Sequence, residues 1–291
     1  MTIPGMEKPS SARDPAAALE DTARRYRATC VQMAHDGREG HLTSALSCAD
    51  IVACLYGHFL NVSPERPDNP RRDRFILSKG HAATIVYAAL AERGFIPRAE
   101  LAEYARGGSR LPNHVCRHAL PVIEASAGSL GHGLGIATGM LYGMRLAGLD
   151  GRAVVLMSDG ECNEGSVWES AAFACARKMD RLLAIVDNNN MQAVGRTDQL
   201  LGFTSLEEKF RAFGWAAITI DGHSVPEILA ALDRVPFVAE RPSAIIARTI
   251  GGHGISFIAD RTEWHYRVPN AEQVALALAE LGVPPLHKET P

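Results

Sequence analysis

No stretch of the chain approaches the roughly 20 consecutive apolar residues that a membrane-spanning helix needs. Its first residues, MTIPGMEKPSSARDP, carry no hydrophobic region of the signal-peptide kind and read as a polar tail. Positive charge is not in excess: 30 Lys and Arg stand against 33 Asp and Glu, a formal net charge of -3. The sequence thus offers no extended basic field for nucleic acid or an anionic membrane. An anionic ligand has to be held locally, by a metal ion or by backbone dipoles. The six cysteines (Cys30, Cys48, Cys54, Cys116, Cys162 and Cys175) include no C-x-x-C pair and no dense disulfide framework. Several lie in apolar helical stretches, where a thiol behaves as a small buried hydrophobe. Reduced thiols in a cytoplasmic protein are the expectation. No G-x-G-x-x-G follows the first strand, which sets aside a nicotinamide dehydrogenase. Internal repeats and low-complexity tracts are lacking too.

What is present is ordinary globular composition, 46% hydrophobic and 22% charged, over 291 residues. Asp14-Pro15 is a helix start, a capping side chain followed by Pro at the first position. A second helix is expected over SCADIVACLYGHFL, then a Pro-rich surface loop, the short strand FILS, and a helix from Gly80 to Arg93. Gly107 to Pro121 is irregular and rich in Gly, Pro and His, a stretch expected to need a ligand or partner if buried. From there strands and helices alternate: GLGIATGMLYGMRLAG, AVVLM, NEGSVWESAAFACARKM, LLAIV, SLEEKFRAF, WAAITI, VPEILAALDRV and SAIIAR. The strands are continuous apolar runs, the mark of strands buried on both faces. The expected fold is α/β: a doubly wound, mostly parallel sheet with helices on both faces. The expected organisation is a tail at 1–14, one domain at 15–282 and a tail at 283–291.

Parallel sheets of this kind bind ligands at the carboxyl ends of their strands. AVVLM runs into Ser158-Asp159-Gly160-Glu161-Cys162-Asn163-Glu164-Gly165, and LLAIV into Asp187-Asn188-Asn189-Asn190-Met191. Asp159 and Asn189 offer hard oxygens of the kind Mg²⁺ or Ca²⁺ takes, with phosphate oxygens completing the shell. Gly160 lets backbone approach a phosphate, and a helix starting near Asn163 adds its N-terminal dipole. Singly, each cluster also reads as a helix cap or a turn. Together, thirty positions apart on one rim, they point to a metal–diphosphate site.

These residues resemble the fingerprint of thiamine diphosphate enzymes, G-D-G followed at this spacing by N-N, with Ser158 in place of the first Gly. The resemblance implies Asp159 and Asn189 as side-chain metal ligands and Met191 as a ligand through its backbone carbonyl. Eleven histidines narrow the family. GHLTSALSCADI places His41, and DRFILSKGHA places His81, in segments that resemble transketolase. LPNHVCRH places His114 in a weaker match to a G-H-P segment. TEWHYRVPN places His265 at the His of W-H-G-x-x-P-N, and EASAGSLGHGLGIATGM is similar to T-G-S/P-L-G-Q-G with His132 for Gln. The resemblance runs from about residue 20 to 275, in the order of the family.

A transketolase passes a two-carbon ketol unit from a ketose to an aldose through a thiamine-bound carbanion. Imidazoles suit the proton transfers this needs, because they titrate near neutrality. The resemblance implies that His41 and His114 face substrate oxygens, and that His81 and His265 lie near the diphosphate and the reacting centre. It places Gly128, Ser129 and Leu130 at the aminopyrimidine and Ile250 on the thiazolium. Gly160, Glu161 and Asn189 fall around the diphosphate, and Glu164 at an interface between subunits. His35, His58, His118, His223, His253 and His287 receive no role. The implied cofactors are thiamine diphosphate and Mg²⁺, for which Ca²⁺ or Mn²⁺ can substitute.

Full-length transketolases carry a second domain with the glutamate that activates the pyrimidine. Nothing after residue 275 matches it. The resemblance is therefore to the N-terminal subunit of a split enzyme. Its expected partner is a C-terminal transketolase subunit, in an α2β2 assembly. Two alternatives stand beside this reading. One is delivery of the two-carbon unit to a lipoyl or carrier-protein thiol, suggested by departures at Leu42-Thr43, Asn113-His114-Val115 and His132. The other is a non-catalytic scaffold role, against which the retained Asp159, Asn189, His41, His81 and His265 argue.

Overall fold

A computed structural model describes residues 14–202 and 204–284 of the chain. In chain order the strands are β1 Arg74–Leu77, β2 Ala153–Ser158, β3 Leu182–Asn188, β4 Met191–Gln192, β5 Gly195–Arg196, β6 Ala216–Asp221 and β7 Ser243–Arg248. β4 and β5 form a small antiparallel pair, while the other five form one parallel sheet in the order β1-β2-β3-β7-β6. Strand side chains alternate between faces, and both faces are apolar. Leu77, Leu156, Ile185, Ile245 and Ile218 form one row across all five strands. Ile76, Val155, Ala184, Ala244 and Ala217 form the next row, on the opposite face. This accounts for the continuous apolar runs in the sequence.

Each face is covered by helices. On the Leu156 side lie α1 Pro15–Gly37, α2 Leu42–Ser47, α3 Ala49–Cys54, α4 Ala83–Glu92, α9 Val225–Leu232 and α10 Ala271–Leu281. On the Val155 side lie α5 Gly133–Leu146, α6 Gly165–Ala176 and α8 Leu206–Ala212; α7 Thr197–Leu201 follows β5. α1 begins as expected, with the Asp14 carboxylate accepting from the Ala16 amide at 3.0 Å. Among the described residues, no helix is long and apolar enough to cross a membrane. Of the two expected tails, residues 1–13 and 285–291 lie outside the described residues.

Two expectations about local structure change. The helix expected over SCADIVACLYGHFL starts at Ala49, separated from α2 at Cys48, where the backbone leaves the helical region (φ -102, ψ 12), and it ends in a wide π turn over Leu55–Phe59. Apolar periodicity does not register such a break, because both pieces bury nearly every residue. The helix expected near Asn163 starts at Gly165, preceded by a tight turn over Gly160–Asn163. The irregular Gly107–Pro121 stretch is anchored within the chain itself, by buried Leu111, Val115 and Leu120. It also accepts and donates backbone hydrogen bonds, Val115 N to Gly80 O at 3.3 Å and Ala127 N to Val115 O at 3.1 Å.

Because the five strands are parallel, all their carboxyl ends meet on one rim. Ser78-Lys79-Gly80-His81 leaves β1, Asp159 leaves β2, Asn189 leaves β3, His223 follows β6 and Ile250 follows β7.

Candidate functional site

The floor of the rim is a buried ion pair. Lys79 Nζ donates to Asp187 Oδ2 at 2.5 Å and to Ser44 O at 2.6 Å, and both charged side chains are fully buried. Ser47 Oγ and Thr249 Oγ1 donate to the same carboxylate. Asp187 thus ties α2, β1, β3 and the end of β7 together directly beneath Asn189. These donors compensate the burial of the carboxylate.

Asp159 and Asn189 stand beside it, both buried. Asp159 Oδ1 accepts from Gly160 N at 2.9 Å and Oδ2 from Thr197 Oγ1 at 2.8 Å. Burial pushes the Asp159 carboxyl up to about 6; the Thr197 hydroxyl opposes this and the nearby Asp187 charge adds to it. Asn189 Oδ1 accepts from Met191 N at 2.9 Å, which turns the chain into the β4–β5 hairpin. Gly160 makes room for Gln192: a Cβ there would stand 2.8 Å from Gln192 Cγ and displace that side chain.

Glu161 is buried and fully engaged. It accepts from Ser78 Oγ, from Gly131 N at 2.8 Å and from Ser158 N at 3.4 Å. Burial pushes its carboxyl up against those bonds. Ser78 in turn accepts from Gly133 N at 3.1 Å. Glu161 therefore shapes the Gly128–Gly131 loop and the start of α5, and any effect it has on a ligand runs through Gly128, Ser129 and Leu130. His132 stands at the N-terminal boundary of α5, is exposed, and has Nδ1 3.0 Å from Leu130 O.

Four of the expected histidines meet. The His41 ring lies 5.3 Å from His81, 5.6 Å from His114 and 5.3 Å from His265, centre to centre. His81 lies 5.9 Å from His265. His41 sits in the left-handed region (φ 62), and its amide donates to His265 O at 2.8 Å, so its ring is aimed by a strained turn. His81 Nε2 is 3.1 Å from Ser44 Oγ, and His114 Nδ1 is 3.2 Å from Asn113 Oδ1. Burial, with His265 and His114 adding to it, pushes His41 down to about 4. Burial and then Lys79 press His81 well below the usual imidazole range, and the same two causes lower His265. Burial lowers His114, opposed by Glu39. At neutral pH the cluster is uncharged and able to accept protons. Tyr266, 60% exposed, closes one side, its ring 5.1 Å from His41 and 4.7 Å from His265.

The rim suits a divalent ion and a diphosphate. Asp159 and Asn189 are hard oxygen donors, and Asp159 is a buried carboxylate whose charge a cation would offset. Gln192 Nε2 is buried without a partner among the described residues, about where it would meet a ligand beside Gly160. Such an orphaned donor is costly unless an acceptor fills the space.

Comparison with known proteins agrees with this chemistry. The profile described as "Transketolase, thiamine diphosphate binding domain" matches residues 18–289. The chain belongs to the transketolase family. It is 42% identical over 250 residues to the transketolase of Pongo abelii, which covers 85% of this chain but 39% of that protein. It is 39% identical over 264 residues to one subunit of the apulose-4-phosphate transketolase of Actinobacillus succinogenes, covering 90% of this chain and 95% of the relative. The crystal structure of transketolase from Campylobacter jejuni superposes with a TM-score of 0.88 at 27% identity, over 93% of this chain and 44% of that one. The chain thus spans less than half of the long transketolases and nearly all of the Actinobacillus relative.

Several residues of this rim carried no role in the sequence reading. Lys79 and Asp187 stood inside the motifs SKGH and DNNN, and a charged residue ending an apolar strand was their signal. Ser44 and Ser47 stood inside GHLTSALSCADI; Thr197 and Gln192 had no signal, since each is brought in by tertiary packing.

Proposed function

We propose that this chain is the diphosphate- and Mg²⁺-binding subunit of a two-subunit transketolase. It would transfer a two-carbon ketol unit from a ketose or ketose-phosphate donor to an aldose acceptor. The observation that carries this reading is the convergence of four uncharged imidazoles on the strand rim that also bears Asp159 and Asn189. Residues 15–282 would form the cofactor domain.

Thiamine diphosphate, when bound, supplies the nucleophilic carbon and the electron sink. Asp159, Asn189 and the Met191 carbonyl hold Mg²⁺, or Ca²⁺ or Mn²⁺ in its place. Gly160, His81 and His265 face the diphosphate end, and Gly128, Ser129 and Leu130 the aminopyrimidine. Ile250, 43% exposed, offers its side chain to the thiazolium. His41 and His114 orient the substrate's carbonyl and hydroxyl groups and take or return their protons. At neutral pH both are unprotonated and offer lone pairs to those hydroxyls.

A companion subunit would bring the pyrimidine-binding domain and its activating glutamate. The near-complete coverage of a relative that is named as one subunit of its enzyme supports this. The assembly would be α2β2, and a reducing, cytoplasmic setting accords with the free, buried Cys30, Cys48, Cys54 and Cys162. Transfer to a carrier-protein thiol and a scaffold role gain no supporting observation over this reading. The test is co-expression with the companion chain, then assay of ketol transfer across donor and acceptor sugars. Turnover is expected only with both chains, thiamine diphosphate and a divalent ion. Turnover by this chain alone would contradict the split-enzyme reading.

A further inference from the structure

Outside the rim residues assigned above, Asp50, His223 and His253 form a close polar cluster with no assigned role. It has the composition of a metal site but not the geometry. The rings of His223 and His253 are stacked, centres 3.6 Å apart and planes 13° from parallel, so their in-plane lone pairs do not converge on one ion. Both nitrogens of His223 are also in use. Nδ1 is 2.9 Å from Asp50 Oδ2, and Nε2 accepts from the Ile250 amide at 2.9 Å. A carboxylate only accepts and an amide only donates, so the partners fix the neutral tautomer with its proton on Nδ1.

Asp50 is itself immobilised. Buried Arg27 grips it from α1 with two hydrogen bonds, at 2.5 and 3.1 Å, and also donates to Leu46 O at 3.3 Å. Burial works against the Asp50 carboxylate, but the His223 and Arg27 contacts outweigh it and hold it below its usual range. Burial, with His223 adding to it, pushes the stacked His253 down to about 4. The loop after β7 is also anchored on either side of Ile250, by Thr249 N on Asn188 O at 3.2 Å and Thr249 Oγ1 on Asp187, and by Asp260 N on Gly251 O at 2.8 Å and Gly252 N on Thr43 O at 3.1 Å. The side-chain contact at Ile250, between them, comes from His223.

We infer that His223 is a positioning residue: it carries the rigidity of the buried Arg27–Asp50 pair to the Ile250 amide and so presents the Ile250 side chain to the cofactor. This rests on the proposed place of Ile250 against the thiazolium. The chain of contacts reaches from two helices on the far side of the core, through the end of β6, to the end of β7. Removing the imidazole leaves the Ile250 amide without its acceptor and frees the loop between its outer anchors.

The test uses His223→Phe, which keeps a stacking ring without either hydrogen bond. His223→Asn retains only the reach to Asp50, and His223→Gln restores an acceptor for the Ile250 amide. Hydrogen exchange is read at Ile250 in the purified chain. An acceleration of about tenfold, the value of one hydrogen bond, is expected in His223→Phe and His223→Asn. His223→Gln should return towards wild type. Unchanged exchange in the first two, or in His223→Asn if His223→Phe does not fold, overturns the inference. With Mg²⁺ and the companion chain present, the thiamine diphosphate concentration for half-saturation should rise about tenfold in His223→Asn while kcat at saturation stays within about twofold. An equal half-saturation, or a loss confined to kcat, overturns the link to the cofactor. If wild type binds no thiamine diphosphate, it is the proposed function that fails, and the exchange measurement alone decides the role of His223.

Discussion

Replacing Asp159 by Asn should stabilise the metal-free chain, although it removes a proposed ligand. In the folded chain burial lifts this carboxyl from 3.8 to about 6. The difference corresponds to about 3 kcal/mol of unfavourable charge burial near neutral pH. The sign follows from proton binding. A raised folded-state pKa means that the native chain holds the proton more tightly than the unfolded chain. Stability is therefore lost as pH rises from 3.8 to about 6, and the penalty is constant above that. Asn keeps an acceptor for the Gly160 amide and offers an N–H to the Thr197 hydroxyl, so few contacts are forfeited. In urea unfolding with a chelator at neutral pH, Asp159→Asn should exceed wild type by about 2–3 kcal/mol, and the gap should close below the ordinary carboxylate range. Added Mg²⁺ and thiamine diphosphate should then raise the wild type and leave the variant unmoved. A variant less stable than wild type in chelator would refute the argument, since Asp159 would then be satisfied without a cation.

Lys79→Met leaves the Asp187 carboxylate buried and unpaired, and should cost about 3–5 kcal/mol in urea unfolding; a loss below about 1 kcal/mol would show that water reaches the pair. Gly133→Ala places a Cβ 2.1 Å from Ser78 Oγ and should cost about 1–3 kcal/mol, with an unaltered unfolding midpoint as the contrary result. For His41, held down near 4 while the unfolded imidazole stays near 6.5, protons bind the unfolded chain first. Native stability should therefore decline as pH falls from 6.5 towards 4, and His41→Asn should flatten that decline; equal slopes in the two proteins would reject the assignment.

The sheet was legible because a parallel strand covered on both faces leaves an uninterrupted apolar run, as in AVVLM and LLAIV. The rim was legible for a related reason: parallel strands deliver the residues after each run to one edge. Asp159, Asn189 and His81 are thus placed near one another by chain order alone. Sequence spacing is silent about what lies opposite. Ser47 and Asp187 are 140 positions apart and His223 and Asp50 are 173 apart, so neither contact has a local signature. The break at Cys48 was hidden for another reason, since a helix buried all round has no polar face to mark where it stops. Glu161 shows the opposite case. Its place in the motif was plain, yet only the structure shows its oxygens committed to Ser78, Gly131 and Ser158.

The most direct measurement is calorimetric titration of thiamine diphosphate into the chain paired with its companion subunit, with Mg²⁺ and then with a chelator, for wild type and Asn189→Ala. The account predicts saturable binding that needs the divalent ion and is abolished by Asn189→Ala. Binding that persists undiminished in chelator, or in the variant, would contradict it.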